Sequence, residues 1–202
     1  MSLAYTHQGI APAFADPVHE AQTVFRQLLE AITHPGTIVS AATNAEQPGA
    51  MGEAMTALAL TLLDNDTRVW LDMTLAESAS VADYLRFHCG CPVVESPGEA
   101  DFALIGSVKS LPRLERFPPG NAQYPEHSAT ILIEMPQLTG GHATVLAGPG
   151  IATTRDFDPV GLPDWFWSAW AVNRGVFPMG VDLVFTCGAE LCALPRSTSV
   201  EA

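Results

Sequence analysis

The sequence predicts a three-layer α/β/α fold with a mixed sheet, and two patterns favour it. Helical and strand-like segments alternate over the first half of the chain, which is typical of a largely parallel sheet covered by helices. Residues 181–194 form two β-branched or apolar runs on either side of Gly188, a pattern typical of a β-hairpin. Both runs lack a polar alternation, so we expect this hairpin to lie in or beside a sheet that is covered on both faces.

The first predicted helix begins at Asp16-Pro17, because aspartate caps a helix N-terminus and proline fits the first turn. It ends at His34-Pro35-Gly36. Its apolar residues form one stripe that we expect to pack on the core, namely Val18, Ala21, Phe25, Leu28, Leu29 and Ile32.

Three further helices are predicted. Residues 52–63 are apolar almost all round, so this helix is expected to be deeply buried. Thr74 and Glu77 have the spacing of a capping box for a third helix at residues 75–87. A last helix spans residues 165–173 and carries Trp165, Phe166, Trp167 and Trp170.

The predicted strands lie between these helices. They are residues 37–41, 67–71, 102–105, 131–135, 142–146, 181–186 and 191–194. The strands at 131–135 and 142–146 flank Gly140-Gly141 and are interpreted as a second hairpin. The proline-rich segment 116–127 and residues 155–163 are interpreted as loops.

Composition limits the classes of function. The 202 residues suit one domain, residues 1–202, with a single core. The net charge is −13 with nine scattered basic residues, so we expect neither nucleic acid nor an anionic membrane as a partner. Only 15% of residues are charged, which indicates either a surface buried in an assembly or a Gly- and Ala-rich monomer.

The cellular location is predicted from two features that the sequence lacks, a membrane-spanning segment and a secretory signal. The longest uncharged run, residues 135–154, is broken by prolines and glycines and suits no membrane-spanning helix. The first residues, MSLAYTHQGIAPAF, lack the positive start and apolar stretch of a secretory signal. We therefore expect a cytoplasmic protein.

Several motifs resemble one known family when their order and spacing are taken together. In the C-terminal part they are Phe177-Pro178-x-Gly180-x-Asp182-Leu183, Cys187-Gly188 and Ala193-Leu194-Pro195-Arg196. Upstream they are Ala21-Gln22-x-x-Phe25-Arg26-x-Leu28-Leu29, His34-Pro35-Gly36, Leu62-Leu63-Asp64-Asn65-Asp66-Thr67, Leu85-Arg86-Phe87-His88, and Gly140-Gly141 before Gly148-x-Gly150-Ile151. Over nearly its whole length the chain resembles the PhnH family of the bacterial carbon-phosphorus lyase system.

The resemblance implies a fold related to pyridoxal-phosphate-dependent transferases that has lost the cofactor, and a homodimer. It implies a role in forming α-D-ribose 1-methylphosphonate 5-triphosphate from MgATP and methylphosphonate, with PhnG-, PhnI-, PhnJ- and PhnL-like partners. In that role the chain contributes a docking surface and no independent catalysis. Two alternatives stay open: a self-sufficient transferase or lyase, and a small-molecule binding module unrelated to phosphonates.

No catalytic, cofactor-binding or metal-binding residue is selected by the sequence. Lys109, the one lysine, follows a predicted strand where a pyridoxal phosphate lysine could lie, but a solvated loop lysine is the favoured interpretation. Cys89-x-Cys91 beside His88 and Cys187-x4-Cys192 could hold zinc, although neither has the usual spacing, and reduced structural thiols are favoured. Gly140-Gly141 and Gly148-Pro149-Gly150 could expose N–H groups to an anion, but tight turns are favoured.

Two features are expected to serve protein contacts. The tryptophan-rich helix has more aromatic side chains than one buried stripe can take, so one of Trp165 and Trp167 is expected to meet solvent, a loop or another chain of a dimer, and coverage by the loop 155–163 is the favoured interpretation. The Phe177-Pro178-Met179-Gly180 turn is predicted to form a rigid corner for docking.

Overall fold

A seven-stranded mixed sheet forms the centre of the computed structural model, which describes residues 9–201. In chain order the ten strands are β1 (Val39–Ser40), β2 (Val69–Leu71), β3 (Val93–Val94), β4 (Phe102–Ile105), β5 (Thr130–Glu134), β6 (Thr144–Ala147), β7 (Arg155–Phe157), β8 (Asp182–Cys187), β9 (Glu190–Leu194) and β10 (Ser199–Glu201). The central sheet has the order β1-β9-β8-β5-β4-β2-β3, and β9 is antiparallel to both neighbours while all other pairs are parallel. The predicted α/β class and mixed sheet are confirmed.

The predicted C-terminal hairpin is confirmed as the second and third strands of the central sheet, and we call it the central hairpin. Strands β8 and β9 pair antiparallel, with Phe185 opposite Cys192, across a turn in which Gly188 has a φ of 57°. Leu183 and Phe185 pack on one face of the sheet and Val184 packs on the other. Because both faces are buried, the strands carry apolar residues at successive positions, as expected.

The helices cover the sheet unequally. They are α1 (Pro17–Thr33), α2 (Glu53–Leu62), α3 (Met73–Ala76), α4 (Ala79–His88) and α5 (Phe166–Gly175). Helices α1, α2 and α4 pack on one face. The other face is covered by α5, by short 3-10 turns at Val108–Ser110 and Leu114–Arg116, and by part of the small β10-β6-β7 sheet. That outer layer is therefore mixed.

The predicted buried stripe of α1 is wrong in part. The helix buries Val24, Leu28 and Ala31 against the core. Val18, Phe25, Leu29 and Ile32 remain 75%, 45%, 43% and 39% exposed. The helix carries two adjacent apolar rows, and only one of them can face the sheet.

The predicted third helix is divided in two. Asp72 caps α3, because its Oδ1 accepts a hydrogen bond from the backbone N–H of Leu75 at 3.1 Å. The predicted capping box of Thr74 and Glu77 does not form, since Glu77 ends α3 and Ser78 precedes α4. A carboxylate one residue past β2 starts the helix earlier than the sequence pattern indicated.

The second predicted hairpin is also wrong. Strand β5 lies in the central sheet, whereas β6 pairs with β7 and β10 in the small sheet. The segment 155–163, interpreted as a loop, contributes β7. Residues 1–8, which carry much of the secretory-signal prediction, lie outside the described residues. Among residues 9–201 no helix is long and apolar enough to cross a membrane.

Candidate docking surface at the amino edge of the sheet

Asp182, the first residue of β8, and Arg196, two residues beyond β9, form an ion pair where the parallel strands begin. Nη2 and Nε of Arg196 lie 2.6 Å and 3.1 Å from Oδ2 of Asp182, and the backbone N–H of Arg196 donates to Oδ1 at 2.7 Å. Nη1 of Arg196 also donates to the carbonyl oxygens of Pro125 at 2.8 Å and Pro178 at 3.4 Å. One side chain therefore joins β8, the end of β9 and two loops.

The corner Phe177-Pro178-Met179-Gly180, between α5 and β8, is held by hydrogen bonds on both sides. The amide of Asn173 donates to the carbonyl of Val181 at 2.9 Å and accepts from its N–H at 2.8 Å. Gly180 has a φ of 114°, and a Cβ there would lie 2.9 Å from the carbonyl oxygen of Asn173, so glycine is required. Phe177 is nevertheless 53% exposed. The predicted corner thus presents an aromatic ring on a fixed backbone.

An apolar depression of about 200 Å³ adjoins this corner. It lies between α5 and the turn Leu114–Arg116, and its apolar lining includes Leu114, Phe117, Ala169, Val172, Val176 and Val181. Val172 is 70% exposed on the rim. The apolar surface therefore extends along α5 away from Phe177.

A second apolar cavity, of about 240 Å³, lies on the α1 side of the sheet. It opens between α1, α2 and the first residues of β4, β5 and β8, and its lining includes Leu28, Ile32, Leu62, Phe102, Thr130 and Asp182. Ile32 belongs to the exposed row of α1 described above. Asp182 also lines this cavity, so the ion pair lies between the cavity and the Phe177 corner.

We call these features together the amino-edge surface, which has two parts on opposite faces of the sheet: the α1 part is Phe25, Leu29 and Ile32, and the α5 part is Val172, Val176 and Phe177. Six large apolar side chains in contact with solvent, beside two apolar depressions, are typical of a protein-binding site. Aromatic side chains such as Phe25 and Phe177 are enriched in protein interfaces relative to the rest of the surface. The sequence indicated the Phe177 corner but missed the α1 row, because it assigned that row to the core.

Lys109 lies at the opposite edge of the sheet, in the turn that follows β4, and its side chain is exposed. The adjacent crevice between the ends of β2 and β4 is occupied by the fully buried Asp72. Its carboxylate accepts hydrogen bonds from the N–H of Gly106 at 3.1 Å and from the hydroxyl of Ser110. The position of Lys109 is that of a solvated turn lysine.

The two cysteine pairs lie on opposite faces of the central sheet. Cys91 packs in the cluster under α1, α2 and α4, whereas Cys192 packs in the cluster under α5. The ring of His88 bonds the carbonyl oxygen of Ala11 through Nε2 at 2.9 Å. All four cysteines are free, and within the described part of the chain no three His, Cys, Asp or Glu residues cluster as a metal site.

The glycine-rich segments and the tryptophan helix have local partners. The N–H groups of Gly140 and Gly141 donate to Asp158, at 2.8 Å to Oδ2 and 2.6 Å to the carbonyl oxygen. Trp167 is half-buried and meets Phe157, so residues 155–163 cover it in part, which agrees with the favoured expectation. Arg113 lies 4.5 Å over the ring of Trp165.

Comparison with known proteins identifies relatives along nearly the whole chain. The family described as "Bacterial phosphonate metabolism protein (PhnH)" matches residues 12–201. The chain is 42% identical over 189 residues to a protein of Rhizobium meliloti (strain 1021) named alpha-D-ribose 1-methylphosphonate 5-triphosphate synthase subunit PhnH, covering 94% of each chain. It is 30% identical over 179 residues to HtxG of Stutzerimonas stutzeri, named as a C-P lyase subunit protein, covering 89% of this chain and 85% of that one. The chain therefore belongs to the PhnH family of bacterial phosphonate metabolism proteins.

Proposed function

We propose that this chain is a docking subunit of the assembly that forms α-D-ribose 1-methylphosphonate 5-triphosphate from MgATP and methylphosphonate. The relative from Rhizobium meliloti bears the name of a subunit of that synthase. The amino-edge surface is the observation that supports a docking role, because it presents exposed apolar side chains from α1 and α5, and Arg196 of the ion pair bonds the Phe177 corner through the carbonyl of Pro178. The chain contributes contacts to the assembly and does not catalyse the reaction alone.

The proposal includes the partners implied by the family resemblance. They are a second copy of the chain and PhnG-, PhnI-, PhnJ- and PhnL-like proteins. Low charged content and a net charge of −13 support a surface shared with less acidic partners. A cytoplasmic location and one domain over residues 1–202 belong to the same proposal.

A relationship to the fold of pyridoxal-phosphate-dependent transferases is also proposed. The seven-stranded mixed sheet between two layers supports it. In this view the ancestral cofactor site has been lost and the scaffold retained, since a fold does not carry its chemistry with it.

Reconstitution with each subunit omitted in turn tests the proposal, with the product followed by phosphorus NMR. We expect the purified chain alone to convert neither ATP nor methylphosphonate. We expect the remaining subunits to form no ribose 1-methylphosphonate 5-triphosphate without it. Methylphosphonate-dependent release of adenine by this chain alone would refute the proposal, and so would full activity in its absence.

A further inference from the structure

A cleft of about 420 Å³ opens at the carboxyl edge of the parallel strands, opposite the amino-edge surface. Its volume is within the range of about 300–1,000 Å³ typical of small-molecule pockets. The cleft lies between the loop before β6 and the segment that joins β7 to α5. Its lining includes His142, Pro159, Leu162, Pro163, Asp164 and Trp167.

The loop that lines this cleft covers the ends of β4 and β5. The N–H of Val160 donates to the carbonyl of Gln137 at 3.0 Å. A Cβ added to Gly161 would lie 3.1 Å from Val108, just past β4, and 3.5 Å from Pro136, just past β5. Ligands of open α/β sheets bind outside the carboxyl ends of the strands, so the cleft lies where such a fold places a ligand.

Trp167 provides an aromatic wall with a fixed orientation. Its ring meets Phe166 edge-to-face with centroids 4.8 Å apart and Phe157 with centroids 6.2 Å apart. The indole is half-buried and borders the cleft. Prolines and Leu162 make the other walls apolar. A flat ring that stacks on the indole suits these walls better than a flexible chain.

Asp164 lines the cleft with an exposed side chain and favours a ligand that donates hydrogen bonds. An ionised carboxylate only accepts hydrogen bonds, so the ligand must bring N–H or O–H donors. Asp158, in the same loop, adds negative charge, and Asp156 lies on the adjoining β7. These carboxylates disfavour phosphate or phosphonate groups, so the uncharged part of a larger molecule suits the cleft better.

We infer that this cleft binds an amino-bearing planar heteroaromatic ring of the nucleobase class, stacked on Trp167 with its amino group donating to Asp164. His142 faces the same space and can bond a ring nitrogen or a sugar hydroxyl. The inference goes beyond docking and does not depend on it, because the cleft and the amino-edge surface share no residue.

Saturation-transfer NMR on the full chain tests this inference with nucleosides that carry no phosphate. Adenosine is compared with purine riboside, and guanosine with inosine, since each pair differs in one amino group. We expect saturable binding with the strongest transfer to ring protons, and about tenfold weaker binding of the analogues that lack the amino group. Trp167→Leu is expected to weaken adenosine binding about tenfold, and Asp164→Ala, which removes the acceptor, to abolish the difference within each pair. Lys109→Ala, at the same edge but outside the cleft, is the matched control and is expected to bind as wild type.

The wild-type comparisons decide the matter even if a variant fails to fold. Absence of saturable nucleoside binding up to roughly 5 mM, beyond the weak end of specific affinity, overturns the inference. So does equal binding within both nucleoside pairs, or tighter binding of ribose 5-phosphate than of adenosine. Tighter binding of argininamide than of either amino nucleoside assigns the cleft to a guanidinium group and also overturns it.

Discussion

Arg196 and Asp182 form a forked ion pair that is largely shielded from solvent, with side-chain exposures of 17% and 28%. A second forked pair, Arg68 with Asp101, has a contact of 2.7 Å, against 2.6 Å for the first, but exposures of 53% and 34%. Two charges that are shielded from solvent attract each other more strongly, and removal of one costs more free energy because the other is left unpaired. The two pairs therefore allow the same kind of ion pair to be compared at two degrees of burial in one protein.

Replacement of Arg196 by alanine is expected to lower the free energy of unfolding by about 2–4 kcal/mol, because Asp182 and two loop carbonyls lose their donor. Arg68→Ala is the matched control and is expected to cost less than about 1 kcal/mol, since solvent screens an exposed pair. Urea unfolding measures both. Equal losses for the two variants would contradict a special role for the shielded pair.

Phe177→Ser tests the amino-edge surface directly. The ring is exposed, and the guanidinium of Arg174 lies 5.3 Å from the ring centroid. We therefore expect the free energy of unfolding to change by less than about 1 kcal/mol. Binding to the partner subunits is expected to weaken about tenfold or more, because a large aromatic anchor is removed. Calorimetric titration with the assembled partners measures the loss.

Phe87→Ser supplies the control for that experiment. Phe87 is 68% exposed on α4 and lies outside the amino-edge surface. The same change of an exposed phenylalanine to serine there is expected to leave partner binding unchanged. If both variants bind alike, the amino-edge surface is not the docking site.

Lys109→Ala is expected to change neither stability nor growth on methylphosphonate. The side chain is exposed in the turn Val108–Ser110, where substitutions usually fall within about 0.5 kcal/mol. Growth with methylphosphonate as the phosphorus source, at equal protein level, is the measurement. Loss of growth would contradict this prediction and make Lys109 a candidate catalytic group.

The central hairpin could be predicted from sequence because its signal is local. Two apolar runs and a glycine at a left-handed position define β8 and β9, and burial on both faces removes the polar alternation. The α1 rows could not be separated in this way. Val24 and Phe25 are adjacent in sequence and equally apolar, and only the packing of α1 on the sheet buries one and exposes the other.

Pairings between distant segments were not accessible for a related reason. Strand β6 joins β7 and β10, and the latter lies more than fifty residues away in sequence. Asp72 likewise caps α3 and also bonds Gly106, thirty-four residues later. The cleft beside Trp167 depends on loops that follow two non-adjacent strands, so no single motif could indicate it.

Glu134, at the end of β5, has a pKa raised above its usual value by burial. Hydrogen bonds from the hydroxyl of Thr186 at 2.7 Å and from the N–H of Gly188 at 3.3 Å oppose the shift without cancelling it. The carboxylate also lies against Gly52, where an added Cβ would be 2.5 Å from its oxygens. This carboxyl group thus joins β5, the central hairpin and the start of α2.

The raised pKa predicts a defined pH dependence of stability. Between the unfolded value of about 4.3 and the higher folded value, the folded state binds more protons than the unfolded state. The contribution of Glu134 to the free energy of unfolding therefore falls as pH rises through that window.

Glu134→Gln removes the titration and keeps one acceptor for Thr186 or Gly188. The variant is expected to gain stability relative to wild type between pH 4 and pH 7, as measured by urea unfolding at each pH. Glu190→Gln, which removes an exposed carboxylate from the same hairpin, is the control. If the stability difference between Glu134→Gln and wild type shrinks as pH rises, the hydrogen bonds outweigh burial.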